Sequence, residues 1–325
     1  MKIVILDGYT TNPGDISFSE METLGRLTVY DRTPAELVLK RALDADILLT
    51  NKTVLDAELI ERLPNLKYIG LLSTGVNVVD LPACDRRGIP VTNVPGYSTP
   101  TVAQMVFAML NTLCFHVQQH SDSVHNGGWA RSKDFCYWKA PLIELYQKTL
   151  GIVGYGSIGR QVAAIGRAFG MRILVYSRTK PADLPAAGLS PEEWVAFEEL
   201  LARADFITLH CPLTDSSSGL IGRDALGRMK PSAYLINTAR GGLIDEQALA
   251  DALNSGIIAG AALDVLSKEP PLPDHPLLTA KNCLITPHIA WASREARTRL
   301  VEAVCKNIQS FLSGGRRNVV NLKNI

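Results

Sequence analysis

The sequence predicts an α/β protein with two doubly wound domains, each built on a parallel sheet. Short β-branched segments alternate with helical patterns from the first residues onward. The alternation stops at a long apolar helix near Thr99 and starts again at Thr149, where a glycine motif follows the first strand. With 325 residues and 46% hydrophobic content, the chain is long enough to fill two cores.

The first series contains four predicted strands, KIVILD, DILLTN, LKYIGLLS and IPVTNV, with predicted helices in TPAELVLKRAL and DAELIERL. Parallel strands need crossover connections, so this alternation predicts a parallel sheet covered by helices. The first strand runs into DGYTTNPGD, which lacks the glycine spacing of a dinucleotide site. This half is therefore predicted not to be the cofactor domain.

The long helix begins near residue 99, where Thr99 can act as the cap and Pro100 suits the first turn. Its apolar stripe comprises Val102, Met105, Val106, Met109, Leu110 and Leu113.

A polar, weakly periodic arm over residues 120–146 follows this helix and carries Trp129, Phe135, Tyr137 and Trp138. These aromatic side chains either pack onto their own domain or are covered by a second subunit. The second alternative predicts a homodimer.

The second series contains six predicted strands, TLGIVG, RILVYS, DFITLHC, AYLINTA, IAGAALDV and CLITPH, which is the size of a doubly wound nucleotide domain. A last helix covers roughly Ser293 to Leu312, and the tail NVVNLKNI is predicted to return to the first domain. The predicted domains are therefore 1–98 with 293–325, and 99–292.

The motif GYGSIG places Gly154, Gly156 and Gly159 in the G-x-G-x-x-G spacing, between a strand and a helix. The first glycine permits the tight turn, the second lets the backbone approach a pyrophosphate, and the third lets the helix pack on the strand. The helix N-terminus also offers free N–H groups to the anion. This context predicts dinucleotide binding.

The end of the next strand, LVYSRTK, has no Asp or Glu for the ribose hydroxyls of NAD. Instead, Arg178 is placed to pair with a 2′-phosphate, while Ser177 or Thr179 donates a hydrogen bond and Lys180 follows. NADP is therefore predicted to be accepted and preferred. The alternative is that Arg178 stacks on the adenine and both cofactors are used.

Four charged or titratable residues follow later strands of the second series: Arg240, Asp264, Glu269 and His288. Open α/β sheets bind ligands at the carboxyl ends of their strands. Each residue also has a structural explanation without catalysis. Arg240 could be a solvated loop cation and Asp264 a helix cap, while Glu269 could be an exposed charge and His288 a packed ring. Their occurrence on one edge beside a glycine motif favours a single catalytic site.

The charge balance excludes some classes of partner. Lys plus Arg number 33 against 32 Asp plus Glu, without a long basic run, so neither nucleic acid nor an anionic membrane is predicted as a partner. No apolar run approaches the length of a membrane span. The six scattered cysteines form no C-x-x-C pair, which predicts reduced thiols, no metal site and a cytoplasmic location.

The chain resembles the D-isomer-specific 2-hydroxyacid dehydrogenases over nearly its full length, through ARGG, DVLSKEP and PHIAW. It is most similar to the glycerate dehydrogenase and hydroxypyruvate reductase branch, through LLTNKT, LSTGVNVVDL, NVPGYST, DFCYW and HIAWAS. The resemblance implies a flavodoxin-like substrate domain, a Rossmann dinucleotide domain, and reduction of hydroxypyruvate or glyoxylate. Two rivals are a D-3-phosphoglycerate dehydrogenase-like enzyme and a dinucleotide-sensing protein similar to corepressors of this fold.

The resemblance also implies residue roles. Arg240 holds the substrate, His288 donates the proton, Glu269 orients and charges His288, and Asp264 contacts the nicotinamide amide. The backbone of Ser73, Thr74 and Gly75 receives the substrate carboxylate. Further implied cofactor contacts are Thr74, Ser157, Ile158, Cys211, Pro212, Thr238, Ala239, Arg240 and His288, and further substrate contacts are Asn51 and Trp291.

Overall fold

The computed structural model describes residues 1–179 and 192–322, so Lys180 and the last three residues lie outside the described part. The chain divides into two compact units, Met1–Ser98 with Trp291–Ile325, and Thr99–Ala290. Each unit contains its own sheet, and every strand pair in both sheets is parallel. The predicted fold class, two doubly wound parallel-sheet α/β domains, is confirmed.

The sheet of the first unit has the order β2-β1-β3-β4-β5, which is the flavodoxin-like order. Its strands are β1 (Lys2–Ile5), β2 (Arg26–Val29), β3 (Ile47–Thr50), β4 (Tyr68–Leu71) and β5 (Val91–Thr92). The sequence pattern missed β2, because this edge strand is mostly exposed and lacks the continuous apolar run of a buried strand. The central strands β3 and β4 are buried along their whole length.

The helices of the first unit, numbered in chain order, are α1 (Ser19–Glu22), α2 (Ala35–Ala42), α3 (Ala57–Glu61), α4 (Leu81–Arg86) and α11 (Arg294–Leu312). Asp56 and Asp80 cap α3 and α4 by accepting backbone N–H groups of the first turn. The apolar face of α11 packs with the side chains of Ile3, Ile5 and Ile47 in one core. A C-terminal helix thus completes a domain begun by the N-terminus.

The tail after α11 lies along β5 in the same unit. Val320 N donates to Val91 O at 2.8 Å, and Val91 N donates to the side-chain oxygen of Asn321 at 2.8 Å. The Asn321 amide in turn donates to Ile89 O at 2.9 Å. Backbone groups on the edge of β5 are therefore paired by the end of the chain.

The sheet of the second unit has the order β12-β11-β10-β9-β6-β7-β8. Its strands are β6 (Thr149–Val153), β7 (Arg172–Tyr176), β8 (Glu193–Trp194), β9 (Phe206–Leu209), β10 (Tyr234–Asn237), β11 (Gly260–Leu263) and β12 (Cys283–Ile285). Read from β8 to β11 this is the Rossmann order 3-2-1-4-5-6, with β12 added beyond it. The predicted count of six strands is wrong because β8, a two-residue edge strand, carries no recognisable pattern.

The helices of the second unit are α5 (Thr99–Phe115), α6 (Val117–His125), α7 (Ser157–Ala168), α8 (Phe197–Arg203), α9 (Arg223–Arg228) and α10 (Glu246–Asn254). Thr99 lies inside α5, so the prediction that it caps the helix is wrong; the helix begins one residue earlier than the Pro100 signal indicated. The predicted stripe of α5 is buried except for Met105, which is partly buried.

No single described helix is long and apolar enough to cross a membrane, although the bent pair of α5 and α6 reaches that length and apolarity when taken together.

All six cysteines are free thiols. Burial raises the pKa of Cys84, Cys283 and Cys305 to about 12, so these thiols stay protonated and unreactive at neutral pH. Among residues 1–179 and 192–322 no group of His, Cys, Asp and Glu side chains is arranged to hold a metal ion.

Candidate active site

The glycine loop between β6 and α7 has the geometry that the sequence motif predicts. Gly154 has φ +97°, and a Cβ there would lie 2.6 Å from Cys211 N. A Cβ on Gly159 would lie 2.2 Å from Gly154 O, so the helix can approach the strand only without a side chain. At Gly156 a Cβ would meet no atom within 4 Å, which leaves open space in front of the α7 N-terminus. The loop therefore fits a pyrophosphate.

A cleft of about 340 Å³ opens beside this loop at the carboxyl ends of β6, β7 and β9. Seven predicted cofactor residues line it: Gly154, Gly156, Ser177, Arg178, Thr179, Cys211 and Pro212. Ser157, Ile158 and Gly159 lie in the first turn of α7. The structure thus brings together residues from three separate segments of the second unit.

The far wall of the cleft was missed by the sequence analysis. It comes from the loop after β9 and includes Thr214, Ser216 and Ser217. Arg178 Nη1 donates to Ser216 Oγ at 3.3 Å, and Thr214 Oγ1 lies 3.0 Å from the same oxygen. No described residue that lines the cleft is acidic. One guanidinium and several hydroxyls therefore form a wall suited to an anion.

His210 also lines the cleft and was not predicted. Its backbone N donates to Val153 O at 2.7 Å, and its ring Nε2 lies 2.9 Å from Thr208 Oγ1. Loss of solvent around the ring lowers the pKa of His210 to about 3. The imidazole is consequently neutral at physiological pH, and Arg178 provides the positive charge of this cleft.

A histidine and a carboxylate meet at the other end of the same sheet edge. His288 Nδ1 lies 2.7 Å from Glu269 Oε2, and Glu269 Oε1 accepts the backbone N–H of Leu266 at 3.1 Å. Because a carboxylate can only accept, the proton of this pair sits on Nδ1. Both side chains remain partly exposed, at 27% and 34%, so the other ring nitrogen can reach a ligand.

Asp264, at the end of β11, holds the loop that carries His288. Its buried carboxylate accepts from Thr286 Oγ1 at 2.6 Å and from the N–H groups of Ile289 and Ala290 at 2.9 and 2.8 Å. His288 itself has φ +55°, a left-handed conformation that is strained for a residue with a side chain. These bonds show a structural function for Asp264, whereas contact with a nicotinamide amide stays a prediction.

Arg240 follows β10 and is exposed. Asn237 shapes its turn by donating to Arg240 O at 2.8 Å and accepting from Ala239 N at 2.9 Å. The guanidinium donates to Ala239 O at 2.7 Å and forms no ion pair with any carboxylate of the described part of the chain. The buried hydroxyl of Thr238 beside it also has no described hydrogen-bond partner.

The backbone of the Arg240 turn touches the loop that carries Glu269. A Cβ added to Gly241 would lie 1.9 Å from Leu266 C and 2.2 Å from Ser267 N, so only glycine fits. The two segments come within van der Waals distance through this position. Arg240, Glu269 and His288 thus lie on neighbouring loops after β10, β11 and β12.

The first unit presents a separate polar feature after β4. Ser73 Oγ donates to Gly75 O at 2.7 Å, and Thr74 Oγ1 donates to Val94 O at 2.8 Å. The backbone N–H groups of Ser73, Thr74 and Gly75 donate to no acceptor in the described residues. Successive free N–H groups form a concavity that binds anions, as the predicted carboxylate contact requires.

The two other predicted substrate residues also belong to the first unit. Asn51 is buried at the end of β3. Trp291 is half-buried and packs edge-on against Tyr97, with ring centroids 6.5 Å apart. Their contacts with a substrate stay predictions.

A family model described as "D-isomer specific 2-hydroxyacid dehydrogenase, NAD binding domain" matches residues 107–290. The chain belongs to the D-isomer-specific 2-hydroxyacid dehydrogenase family. It is 47% identical over 324 residues to hydroxypyruvate reductase of Blautia hydrogenotrophica, covering 99% of this chain and all of the relative. It is 40% identical to glycerate dehydrogenase of Methylorubrum extorquens over 89% of each chain.

A solved structure with a similar fold is an acyclic imino acid reductase, Bsp5, in complex with NADPH and D-Arg. It has a TM-score of 0.84 and 31% identity, covering 98% of this chain and all of the other. As a D-2-hydroxyacid dehydrogenase, the protein is an oxidoreductase that uses a nicotinamide dinucleotide. The open glycine cradle fits this cofactor because a pyrophosphate needs the free space before Gly156.

Proposed function

We propose that the protein reduces hydroxypyruvate to D-glycerate, and glyoxylate to glycolate, with NADPH as the preferred cofactor. The observation that carries this proposal is the 2.7 Å contact of His288 with Glu269 on the sheet edge that also presents the unpaired Arg240. The hydroxypyruvate reductase and glycerate dehydrogenase names of two relatives support the same substrates.

The reaction needs a cation for the 2-oxo acid and a proton for its carbonyl oxygen. When bound, the reduced nicotinamide supplies the hydride to the carbonyl carbon. Arg240 presents two N–H donors to the substrate and fixes which face of the carbonyl is attacked. His288 Nε2 carries the proton and gives it to the oxygen, while Glu269 stabilises the charged ring through Nδ1. In the oxidative direction neutral His288 accepts that proton.

The N–H groups after β4 supply the remaining recognition. We assign the substrate carboxylate to the N–H groups of Ser73, Thr74 and Gly75, because they are free and successive. The side-chain hydroxyls of Ser73 and Thr74 hold this loop in shape, so the N–H groups need little reorganisation on binding.

A panel of 2-oxo acids with both reduced cofactors tests the substrate proposal. We expect the highest kcat/KM with hydroxypyruvate, measurable turnover of glyoxylate, and little with 3-phosphohydroxypyruvate. A preference for 3-phosphohydroxypyruvate would instead indicate the phosphoglycerate dehydrogenase-like alternative. Cofactor binding without turnover of any 2-oxo acid would indicate a dinucleotide-sensing protein.

The preference for NADPH is carried by Arg178 and the hydroxyls around it. Arg178 lines the acid-free cleft, next to Ser177 and within hydrogen-bond distance of Ser216. A guanidinium and hydroxyl donors bind a 2′-phosphate, which a carboxylate at this strand end would repel.

Exchanging Ser177 for Asp is expected to reverse the cofactor preference. The new carboxylate repels the 2′-phosphate and accepts hydrogen bonds from the ribose hydroxyls, so kcat/KM for NADPH should fall by about tenfold to a hundredfold relative to NADH. Steady-state kinetics with both cofactors at saturating hydroxypyruvate provide the measurement. Ser255→Asp, an exposed serine after α10, serves as the control and should leave the ratio unchanged. A wild-type preference for NADH of tenfold or more would contradict the assignment.

We infer that the protein is a homodimer assembled through α5 and the aromatic arm of residues 120–146. Phe135 and Trp138 are 88% and 65% exposed in the isolated chain, and Trp129 and Tyr146 are exposed as well. Large aromatic side chains exposed on one segment are typical of a surface that a partner covers.

A double substitution, Phe135→Asp with Trp138→Asp, is expected to convert the dimer into a monomer at micromolar concentration. Two charges in an apolar interface remain unpaired on association, so the interface loses its stability. Light scattering should report twice the chain mass for the wild type and one chain mass for the variant. Val54→Asp, at a 62% exposed position outside the arm, should stay dimeric. A monomeric wild type would rule the dimer out.

We place the protein in the cytoplasm. Six free cysteines, five of them buried or partly buried with raised pKa values, support a reducing compartment.

A further inference from the structure

Glu246 is a largely buried carboxylate in the first turn of α10, with 13% of its side chain exposed. Its Oε1 accepts the backbone N–H of Ser267 at 2.7 Å, and its Oε2 accepts the Ser267 hydroxyl. The same Oε2 lies 3.1 Å from His275 Nε2. One carboxylate therefore holds both ends of the loop of residues 267–275.

The hydrogen bonds of His275 define the tautomer of its ring. Nδ1 accepts the backbone N–H of Leu277 at 3.4 Å and caps the short 3-10 helix Pro276–Leu278. Because Nδ1 accepts, the ring proton lies on Nε2, which donates to Glu246. Leu277 is buried in a core of the second unit, so this end of the loop is anchored.

The loop between these two anchors carries Glu269 and is not held by apolar packing. Seven of the eight residues from 267 to 274 are exposed. A segment with few buried apolar contacts opens readily unless polar contacts hold it. The hydrogen bonds to Glu246 are therefore expected to order the loop around Glu269.

Two successive N–H groups at the start of this loop donate to two different carboxylates. Ser267 N donates to Glu246, and Leu266 N donates to Glu269 Oε1 at 3.1 Å. The other oxygen of Glu269, Oε2, lies 2.7 Å from His288 Nδ1. A continuous series of polar contacts thus connects Glu246 with the Glu269–His288 pair.

We propose that Glu246, together with His275, is a positioning residue that holds Glu269 in contact with His288. The effect is indirect, because Glu246 fixes the loop and the loop fixes the direction of the Glu269 carboxylate. A displacement of about 1 Å is enough to break a hydrogen bond and to lower a catalytic rate. The inference rests on the proposed proton transfer from His288, and it adds the residues that keep the proton donor paired.

Glu246→Gln tests this inference, because glutamine keeps the shape of the side chain but has one acceptor oxygen for three donors. The single-turnover rate of NADPH oxidation by hydroxypyruvate is expected to fall by about threefold to thirtyfold. The KM for hydroxypyruvate and the Kd of NADPH should change by less than about twofold, since Glu246 is assigned no contact with either. Glu198→Gln, at an exposed glutamate in the first turn of α8, is the matched control and should change none of these values.

A double-mutant cycle with Glu269 separates positioning from general stabilisation of the fold. Glu269→Ala removes the carboxylate that Glu246 is proposed to position. Adding Glu246→Gln to that variant should therefore change the single-turnover rate by less than about twofold. Equal falls in the wild type and in Glu269→Ala would show that Glu246 acts on the fold alone and would overturn the proposal.

Two further variants keep the test decisive if Glu246→Gln does not fold. Ser267→Ala removes only an exposed hydroxyl that donates to Glu246. His275→Asn loses the contact with Glu246 but keeps a side-chain acceptor that can cap the helix Pro276–Leu278. Each should lower the single-turnover rate less than Glu246→Gln does, and the fall should again be absent in Glu269→Ala. Wild-type rates in both variants would contradict the proposal.

The failure of this inference can be distinguished from the failure of the proposed function. A wild type that reduces hydroxypyruvate, with Glu246→Gln at the wild-type single-turnover rate, would overturn the positioning assignment and leave the proposed function standing. A wild type that reduces neither hydroxypyruvate nor glyoxylate would overturn the proposed function and this inference with it.

Discussion

His288→Ala is expected to lower kcat for hydroxypyruvate by on the order of a thousandfold, while the protein still folds and binds its cofactor. The variant loses the ring that carries the proton to the carbonyl oxygen and that Glu269 contacts. Folding should be preserved because the loop is held by Asp264 through backbone N–H groups and Thr286.

Steady-state turnover of hydroxypyruvate, thermal unfolding and quenching of protein fluorescence by NADPH together provide the measurement. His125→Ala, at an exposed histidine of α6, is the matched control and should retain wild-type turnover. Near wild-type activity of His288→Ala across pH would show that another group donates the proton.

The pair can also be tested through its carboxylate. In Glu269→Gln the side chain keeps its shape but no longer offers a negative charge to the imidazolium, so we expect turnover to fall less than in His288→Ala. The double variant His288→Ala/Glu269→Gln should have the same turnover as His288→Ala alone. Glu269 acts through the ring, so its loss has no further effect once the ring has been removed. Additive losses in the double variant would separate the two roles.

Arg240→Ala is expected to lower kcat/KM for hydroxypyruvate by about a hundredfold to a thousandfold. Enzymes lose about this much activity when a preorganised hydrogen-bond donor to the reacting oxygen is removed. The exposed guanidinium is tied only to Ala239 O and has no described ion pair, so its removal leaves no buried charge unpaired. Arg240→Lys should recover only part of the activity, because an ammonium cannot present two N–H groups in one plane.

Kinetics with hydroxypyruvate, together with thermal unfolding, measure this effect. Arg228→Ala and Arg228→Lys, at an exposed arginine ending α9, provide the matched control and should be kinetically silent. An Arg240→Lys enzyme with wild-type kcat/KM would mean that charge alone, without bidentate geometry, is sufficient.

Much of the architecture follows from the sequence alone. In a doubly wound fold, most strands and helices have a buried face, and this burial is visible as a hydrophobic pattern in the sequence. Ten of the twelve strands accordingly lie in the predicted segments. The positive φ at Gly154 and the close packing at Gly159 each require glycine, so the motif GYGSIG predicts both from the sequence. The charged residues after β10, β11 and β12 are also visible, because parallel strands end at a common edge.

The remaining features of the fold and of the site were decided by the tertiary structure, because they depend on contacts between segments that are distant in the sequence. The edge strands β2 and β8 gain their order from one neighbour each and carry little apolar pattern of their own. The hydroxyl wall opposite Arg178, the neutral His210 and the bonds from Asp264 to the His288 loop all join residues more than twenty positions apart or depend on burial. No local propensity encodes such contacts, because they form only when the sheet brings its strand ends together.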